Sequence, residues 1–239
     1  MSKRNFAFTL AEVLITIGIV GVIAALVIPN LIGAQDMAVS KTKFKKTLAT
    51  LNEAGKLAKA QYGYNYSDLN NGCGAAYPPN LDNPETSTSY CGIFNGTIKN
   101  FTWKGWTTNI KTENGKIYRI EKSSNTEFLN SRYVYILQDG TIFATGSSPS
   151  QNCHLELGET LDEEWISNHM ECIGFIDTNG INPPNKEVSC SDGNPTALAP
   201  EKNCSVKKDT KYITDIYPIV FHDSTVEPAT NAAKAILNQ

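Results

Sequence analysis

The sequence predicts an α+β fold in which N-terminal helices precede a small antiparallel sheet. The first observation is an apolar run, Phe8–Leu31, of 24 residues with Glu12 as its only charged side chain. The second is a set of alternating apolar and polar segments, bounded by turn-forming residues, in the second half of the chain. The third is that all six cysteines follow the helical part, which predicts a disulfide-linked domain outside the cytoplasm.

Composition excludes some classes of function. The 239 residues are 41% hydrophobic and 19% charged, with a formal net charge of −3. This mildly acidic balance has none of the basic excess that nucleic-acid binding requires, so no nucleic-acid partner is evident. The length suits one domain of moderate size plus an anchor.

The apolar run is long enough to span a membrane. As a helix it extends roughly 36 Å at about 1.5 Å per residue, against a hydrocarbon core of about 30 Å. A removed signal peptide is one alternative, but its apolar part is usually only about 7–15 residues long. The sequence "LIGA" before Gln35 is the sole, weak cleavage site for that alternative. A retained anchor is therefore favoured.

The residues around Glu12 carry a specific motif. The stretch "KRNFAFTLAEVLI" resembles the processing site of type IV pilins and of the pseudopilins of type II secretion systems. The resemblance implies that residues 1–7 form a basic leader, and that a prepilin peptidase cuts between Ala7 and Phe8 and methylates the new amine. Ala7 takes the place of the glycine that is usual in this family.

The resemblance also implies roles for residues within the anchor. The amine created at Phe8 would meet Glu12 of a neighbouring subunit, offsetting the cost of a carboxylate in lipid and fixing the register. The alternative is that Glu12 reaches the headgroups. Gly18 and Gly21 would let neighbouring helices approach closely. Pro29 lacks an N–H and predicts a kink or a locally opened helix.

An amphipathic stretch follows the anchor. Its apolar residues are spaced by three or four positions and form one stripe: Phe44, Leu48, Leu51, Gly55, Ala58 and Tyr62. The family resemblance implies one long helix to about Gly63, with an assembly part (residues 8–34), an amphipathic part (residues 35–63) and a globular domain (residues 64–239). Lysines 41, 43, 45 and 46 are expected to meet anionic headgroups or acidic faces of neighbouring subunits.

A long connection and then an antiparallel sheet are predicted after the helix. Residues 63–115 are rich in Gly, Asn, Pro, Thr and Tyr and predict a long connection. The predicted strands are 116–122, a hairpin of 133–138 and 141–145, then 172–177 and 216–221. A two-residue turn at Asp139 and Gly140 closes the hairpin. Pro218 predicts that the last strand lies at an edge or bulge, and residues 229–239 predict a short helix.

The cysteines predict three disulfides among 15 possible pairings. Pairing of nearest neighbours would close loops of similar size, between Cys73 and Cys91, Cys153 and Cys172, and Cys190 and Cys204. The rival is a zinc site, whose four ligands would be Cys153, His154, His169 and Cys172. Its spacing departs from the usual zinc patterns, so disulfides are favoured.

Two further groups are candidate binding sites. Asp177, Asn179 and Asn182 offer oxygen atoms at the short spacing of a calcium loop, but the pattern fails at Val188, and a plain turn is the alternative. Five aromatic residues predict either a sugar-binding face or ordinary packing: Tyr62, Tyr64, Tyr66, Trp103 and Trp106.

The sequence contains no known catalytic motif, so no enzymatic activity and no cofactor are predicted. The acidic run Asp162, Glu163 and Glu164 predicts a solvated face, and His222 a structural or solvated residue.

The sequence therefore predicts a structural subunit of a bacterial type IV pilus or type II secretion pseudopilus. Its implied partners are the prepilin peptidase, other pilin or pseudopilin subunits, an inner-membrane assembly platform and membrane lipid. It would cross the cytoplasmic membrane once, with the domain outside, before joining a cell-surface or periplasmic filament. The alternative is a singly membrane-anchored surface module that binds a ligand.

Overall fold

A computed structural model describes residues 9–73, 88–106, 133–145, 152–182, 185–191, 204–206 and 214–238. Within these ranges the side chains of residues 29–34 and 104–106 are not described. The strand predicted at residues 116–122 lies outside the described residues.

Helix α1 (Leu10–Tyr62) is a single helix of 53 residues. It ends at Gly63, whose φ of 82° is left-handed and whose backbone N–H donates to the carbonyl of Lys59. The helix continues through Pro29, so the local opening predicted at this residue is not observed. A kink at Pro29 stays a prediction. The first half of α1 is exposed, whereas the second half packs against the rest of the chain.

Six strands within the described residues form one antiparallel sheet, which confirms the predicted α+β class. They are β1 (Phe101–Trp106), β2 (Tyr133–Leu137), β3 (Ile142–Thr145), β4 (Ile173–Asp177), β5 (Ile216–His222) and β6 (Thr225–Pro228). Their order in the sheet is their order in the sequence. Two of them were not predicted, because β1 lies in the expected long connection and β6 follows the expected last strand.

Within the described residues, three short α-helices and one 3-10 helix, Met170–Cys172, accompany α1 and the sheet. The short α-helices are α2 (Tyr90–Thr97), α3 (Glu163–Asn168) and α4 (Asn231–Asn238). Helix α4 confirms the predicted terminal helix, whereas α2 was not predicted within the long connection. The acidic run begins α3, where Asp162 accepts the N–H of Trp165 at 2.9 Å. Glu163 and Glu164 follow on the exposed first turn, as predicted for a solvated face.

The β2–β3 hairpin differs from its prediction in loop length. Leu137 donates its N–H to the carbonyl of Thr141 at 2.9 Å, and Gly140 donates to the carbonyl of Leu137 at 3.0 Å. The loop therefore has three residues, 138–140, rather than two. Gly140 has a φ of 80°, the left-handed conformation that closes this type of loop.

The prediction that Pro218 marks an edge or a bulge was wrong. Strand β5 lies between β4 and β6, and Pro218 pairs in register with Phe175. Its carbonyl accepts the N–H of Ala229, one residue beyond the end of β6. Because the N and O of one strand residue face the same side, the absent N–H of Pro218 faces the end of β6. An interior strand therefore tolerates this proline.

Each face of the sheet has its own apolar cluster. The helix-side cluster contains the stripe residues Phe44, Leu48, Leu51 and Ala58 with sheet residues such as Tyr135 and Phe221. Gly55 of the stripe is also buried, and Tyr62 is half-buried against the cluster. The outer cluster joins alternate sheet residues to residues 153–172, which include Cys153, Trp165 and Ile166. The fold therefore has three layers, namely the helices, the sheet and the segment 152–172, called below the outer segment.

Candidate membrane and assembly segment

The first half of α1 is an apolar surface that the rest of the chain does not cover. Leu10–Ile28 has a mean hydropathy of 2.6, and none of it is buried. At about 1.5 Å per residue these 19 residues extend roughly 28 Å, close to the thickness of a hydrocarbon core. No other span of this kind occurs among the described residues. The segment is long and apolar enough for a membrane anchor or a signal sequence.

Glu12 has an interaction that sequence reasoning missed. Both the backbone N–H and the hydroxyl of Thr9 donate to Oε2 of Glu12, each at 2.8 Å. In return, the N–H of Glu12 donates to Oγ1 of Thr9 at 3.3 Å. This is a capping box, which begins α1 at Leu10. Its signature, Thr-x-x-Glu, is present at residues 9–12 and could have predicted it.

Of the other predicted assembly and processing residues, two glycines lie on open helix surface, and the rest lie outside the described residues or side chains. Nothing lies within 4 Å of a Cβ built on Gly18 or on Gly21. Both glycines are therefore on open helix surface, where a neighbouring helix could approach. Ala7 and Phe8, the predicted processing residues, lie outside the described residues, as does the side chain of Pro29.

A polar cluster attaches α1 to the domain just beyond the apolar segment. The Ser40 hydroxyl lies 2.6 Å from both the hydroxyl of Thr178 and that of Tyr217, and all three residues are buried. Burial raises the pKa of Tyr217 to about 12, so this residue is a neutral hydrogen-bonding group at ordinary pH. The cluster joins residues 177 positions apart in the sequence.

Two lysines strengthen this attachment. Lys43 donates to the carbonyls of Asp139 and Thr178, at 3.1 and 2.9 Å. Lys46 forms an ion pair with Asp139 at 3.0 Å. Burial works to raise the pKa of Asp139, but hydrogen bonds from Lys46 and Thr141 outweigh it and lower that pKa. The hairpin loop is thereby held against the helix next to the apolar segment.

Hydrogen bonds at Leu51 and Asn52 hold the second half of α1 to the rest of the domain. The Asn52 side chain donates to the carbonyl of Val226 at 2.8 Å and accepts its N–H at 2.9 Å. The hydroxyl of Tyr66 donates to the carbonyl of Leu51 at 2.6 Å. With attachments at Ser40 and at Leu51 and Asn52, the second half of α1 forms one unit with the sheet. No local sequence pattern predicts these contacts, because each joins residues at least 15 positions apart.

The cysteines form three disulfides, and their pairing is between nearest neighbours. The bonds join Cys73 to Cys91, Cys153 to Cys172, and Cys190 to Cys204. No cysteine is free. The zinc alternative was therefore wrong, since Cys153 and Cys172 are bonded to each other. His154, another of the proposed zinc ligands, contacts the carboxylate of Asp223 instead.

The calcium candidate has the hydrogen bonds of a turn. Asp177 is buried, and its Oδ1 accepts the N–H groups of Asn179 and Gly180 at 3.2 and 3.0 Å. The Asn182 side chain donates to the carbonyl of Asn179 rather than offering oxygen beside Asp177. Among the described residues no group of three or more His, Cys, Asp or Glu could hold a metal ion.

A neighbouring carboxylate was missed by sequence reasoning. Asp215 is buried and accepts the N–H groups of Asn185 and Lys186 at 2.9 and 2.6 Å. Burial raises the pKa of Asp215 to about 6, although these hydrogen bonds oppose the shift. The residue organises the loop after β4, next to the Thr178 attachment.

The aromatic candidates support packing rather than a sugar-binding face. Tyr64 and Tyr66 are buried, and Tyr62 and Trp103 are partly buried against the helix-side cluster. The side chain of Trp106 lies outside the description. His222, predicted as structural or solvated, is buried. Burial works to lower the pKa of His222, but the carboxylates of Glu227 and Asp223 outweigh it and raise that pKa.

A polar cleft lies at the end of the domain away from the apolar segment. It encloses about 660 Å³ and is lined by Lys59, Asn65, Ser67, Asp68, His154 and Asp223. Lys59 and Asp68 form an ion pair across it at 2.9 Å.

Comparison of the chain with models of protein families, with curated proteins and with solved structures finds no match.

Proposed function

We propose that this protein is a structural subunit of a type IV pilus or of a type II secretion pseudopilus. The prepilin peptidase removes residues 1–7, and the apolar half of α1 holds the subunit in the cytoplasmic membrane. In the filament, the same apolar half packs against other subunits. The domain lies outside the cytoplasm, where its disulfides are stable.

The observation that carries this proposal is the continuity of α1. One helix of 53 residues joins an uncovered apolar half to a half that forms part of the domain's core. A signal peptidase cutting before Gln35 would sever this helix a few residues before the Ser40 attachment. Retention of the apolar half is therefore favoured, as a filament subunit requires.

Glu12 fits the proposal through its position near the start of the helix. The new amine of Phe8 is four residues from Glu12, and a staggered neighbour would bring the two charges together. An opposite charge offsets the cost of a carboxylate in lipid. The capping box holds this carboxylate at the helix start until a neighbouring amine is present.

Mass spectrometry of the N-terminus of protein from its native membrane tests this function. We expect a chain that begins at methylated Phe8. An Ala7→Gly variant is the matched control, because it has the residue usual in the family and should be cut at the same bond. An intact Met1, or a chain that begins at Gln35, would contradict the proposal.

The alternative function is a membrane-anchored module that binds a ligand. The observation that favours it is the polar cleft lined by Lys59, Asp68 and His154. Such a module needs neither cleavage at Phe8 nor recovery in filaments. The N-terminal measurement therefore separates the two functions.

A further inference from the structure

The four lysines after the apolar segment fall into two pairs with different surroundings. Lys43 and Lys46 bend towards the domain, where they contact Asp139 and the carbonyl of Thr178. Their charges are thereby used within the subunit. From the sequence alone, the same contacts were expected for all four lysines.

Lys41 and Lys45 form the second pair, called here the outward pair. They are one helical turn apart, so they lie on the same side of α1. Lys41 is half-exposed and Lys45 is exposed. Within the described part of the chain, neither has an ion pair or a side-chain hydrogen bond. Asp36 is the only acidic residue between positions 29 and 46, so this part of the helix is positive.

The outward pair lies close to where the membrane surface would be. The apolar run ends at Leu31, and from there to Lys41 is 10 residues, or about 15 Å of helix. From Leu31 to Lys45 is 14 residues, or about 21 Å. The headgroup region occupies about 6 Å of each distance. Helical side chains tilt towards the N-terminus, which here is towards the membrane. With a side-chain reach of about 6 Å, the remaining gap is about 3 Å for Lys41 and about 9 Å for Lys45. Both gaps are within roughly one Debye length, about 8 Å, so the charges can act on the surface.

We propose that Lys41 and Lys45 bind the headgroups of anionic phospholipids while the subunit waits in the membrane. This inference rests on the proposed function, because it requires the apolar half of α1 to span the bilayer. Charge complementarity and the position of the pair favour lipid over the acidic face of a neighbouring subunit. The contact would orient the domain at the membrane until the subunit is extracted.

Lysine acetylation rates, measured by mass spectrometry, test the proposal on the processed full chain. One set of nanodiscs contains phosphatidylcholine alone, and the other contains equal parts of phosphatidylcholine and phosphatidylglycerol. We expect the anionic lipid to slow acetylation of Lys41 and Lys45 by about fivefold each, and about 1 M salt to abolish the effect. Exposed Lys56 and Lys59, at least 11 residues farther along α1 than Lys45, serve as internal controls and should not respond.

Charge-matched variants give a second measurement, hydrogen exchange of residues 35–45. Anionic lipid should slow this exchange in the wild type and in Lys56→Gln/Lys59→Gln. It should have no effect in Lys41→Gln/Lys45→Gln. Equal acetylation ratios at all four lysines, in an inserted chain, would overturn the lipid contact. Protection of the outward pair only in filaments would also overturn it, in favour of a neighbouring subunit. A chain that fails to insert would instead contradict the proposed function.

Discussion

At the scale of single residues, Glu12 has one observed interaction, the capping box, and one proposed interaction, with a neighbour's amine. Three substitutions can separate the two. Glu12→Ala removes both the capping box and the charge. Glu12→Gln loses the charge but can still close a capping box with Thr9. Thr9→Val keeps the charge and the side-chain shape but removes the cap, at a cost of about 1 kcal/mol.

We expect both Glu12 variants to insert and fold but to fail in assembly, because the neighbour's amine is left in lipid without a partner. Loss of one member of a buried pair typically costs about 3–5 kcal/mol. Thr9→Val should assemble at a reduced level. The measurement is the ratio of filament to membrane-pool protein in cells lacking the original copy. Normal assembly of Glu12→Gln would show that the carboxylate acts only as a cap, or reaches the headgroups.

At the scale of elements, Gly55 shows how closely α1 approaches the β5–β6 turn. A Cβ at this position would lie 2.6 Å from Cε2 of Tyr66 and 2.8 Å from the backbone oxygen of Ser224. The backbone at Ser224 leaves little freedom to move away. Gly55 therefore belongs to the stripe because of its small size rather than its apolar character.

We expect Gly55→Ala to lower the free energy of unfolding by about 1–3 kcal/mol. Helix propensity alone predicts the opposite, a gain of about 1 kcal/mol. Denaturant unfolding of the detergent-solubilised chain, with its disulfides intact, measures the change. Gly21→Ala is the matched control, since a Cβ there meets nothing within 4 Å. An equal or higher stability of Gly55→Ala would show that the contact yields without cost.

The elements that sequence reasoning found are those with strong local patterns. The stripe from Phe44 to Tyr62 has helical periodicity, and β4 and β5 are short apolar runs. Helix α2 and strand β1 were missed because glycine, asparagine and threonine dominate their surroundings. The prediction for Pro218 was wrong because an interior strand accepts a proline where the neighbouring strand ends. No local sequence pattern shows where β6 ends.

At the scale of the whole molecule, the site was only partly predictable for the same reason. The apolar run is a local pattern and was predicted from the sequence, whereas processing at the Ala7–Glu12 motif stays a prediction. The attachment of Ser40 to Tyr217 joins residues at opposite ends of the chain, so no spacing rule could predict it. The even cysteine count predicted disulfides, but choosing among 15 pairings required the fold.

The three-layer arrangement gives two of the disulfides different roles. Cys153–Cys172 closes the outer segment, which covers Phe175 and Val220 on the outer face of the sheet. Cys190–Cys204 closes a loop of similar length, and Cys190 belongs to the helix-side cluster instead. The chain-entropy estimate gives each bond about 3 kcal/mol. Removing either disulfide is therefore expected to cause a similar loss of stability, but only the loss of Cys153–Cys172 is expected to uncover a face of the sheet.

We expect alkylation without reductant to modify no cysteine of the mature protein. Replacing Cys153 and Cys172 by alanine should lower stability by about 3 kcal/mol and also expose the outer cluster, because its cover is no longer tied at both ends. Binding of a dye specific for apolar surface should rise in this variant. The Cys190→Ala/Cys204→Ala variant is the control and should lose stability without that rise. Equal dye binding by both variants would show that packing of Trp165 and Ile166, rather than the disulfide, keeps the outer segment on the sheet.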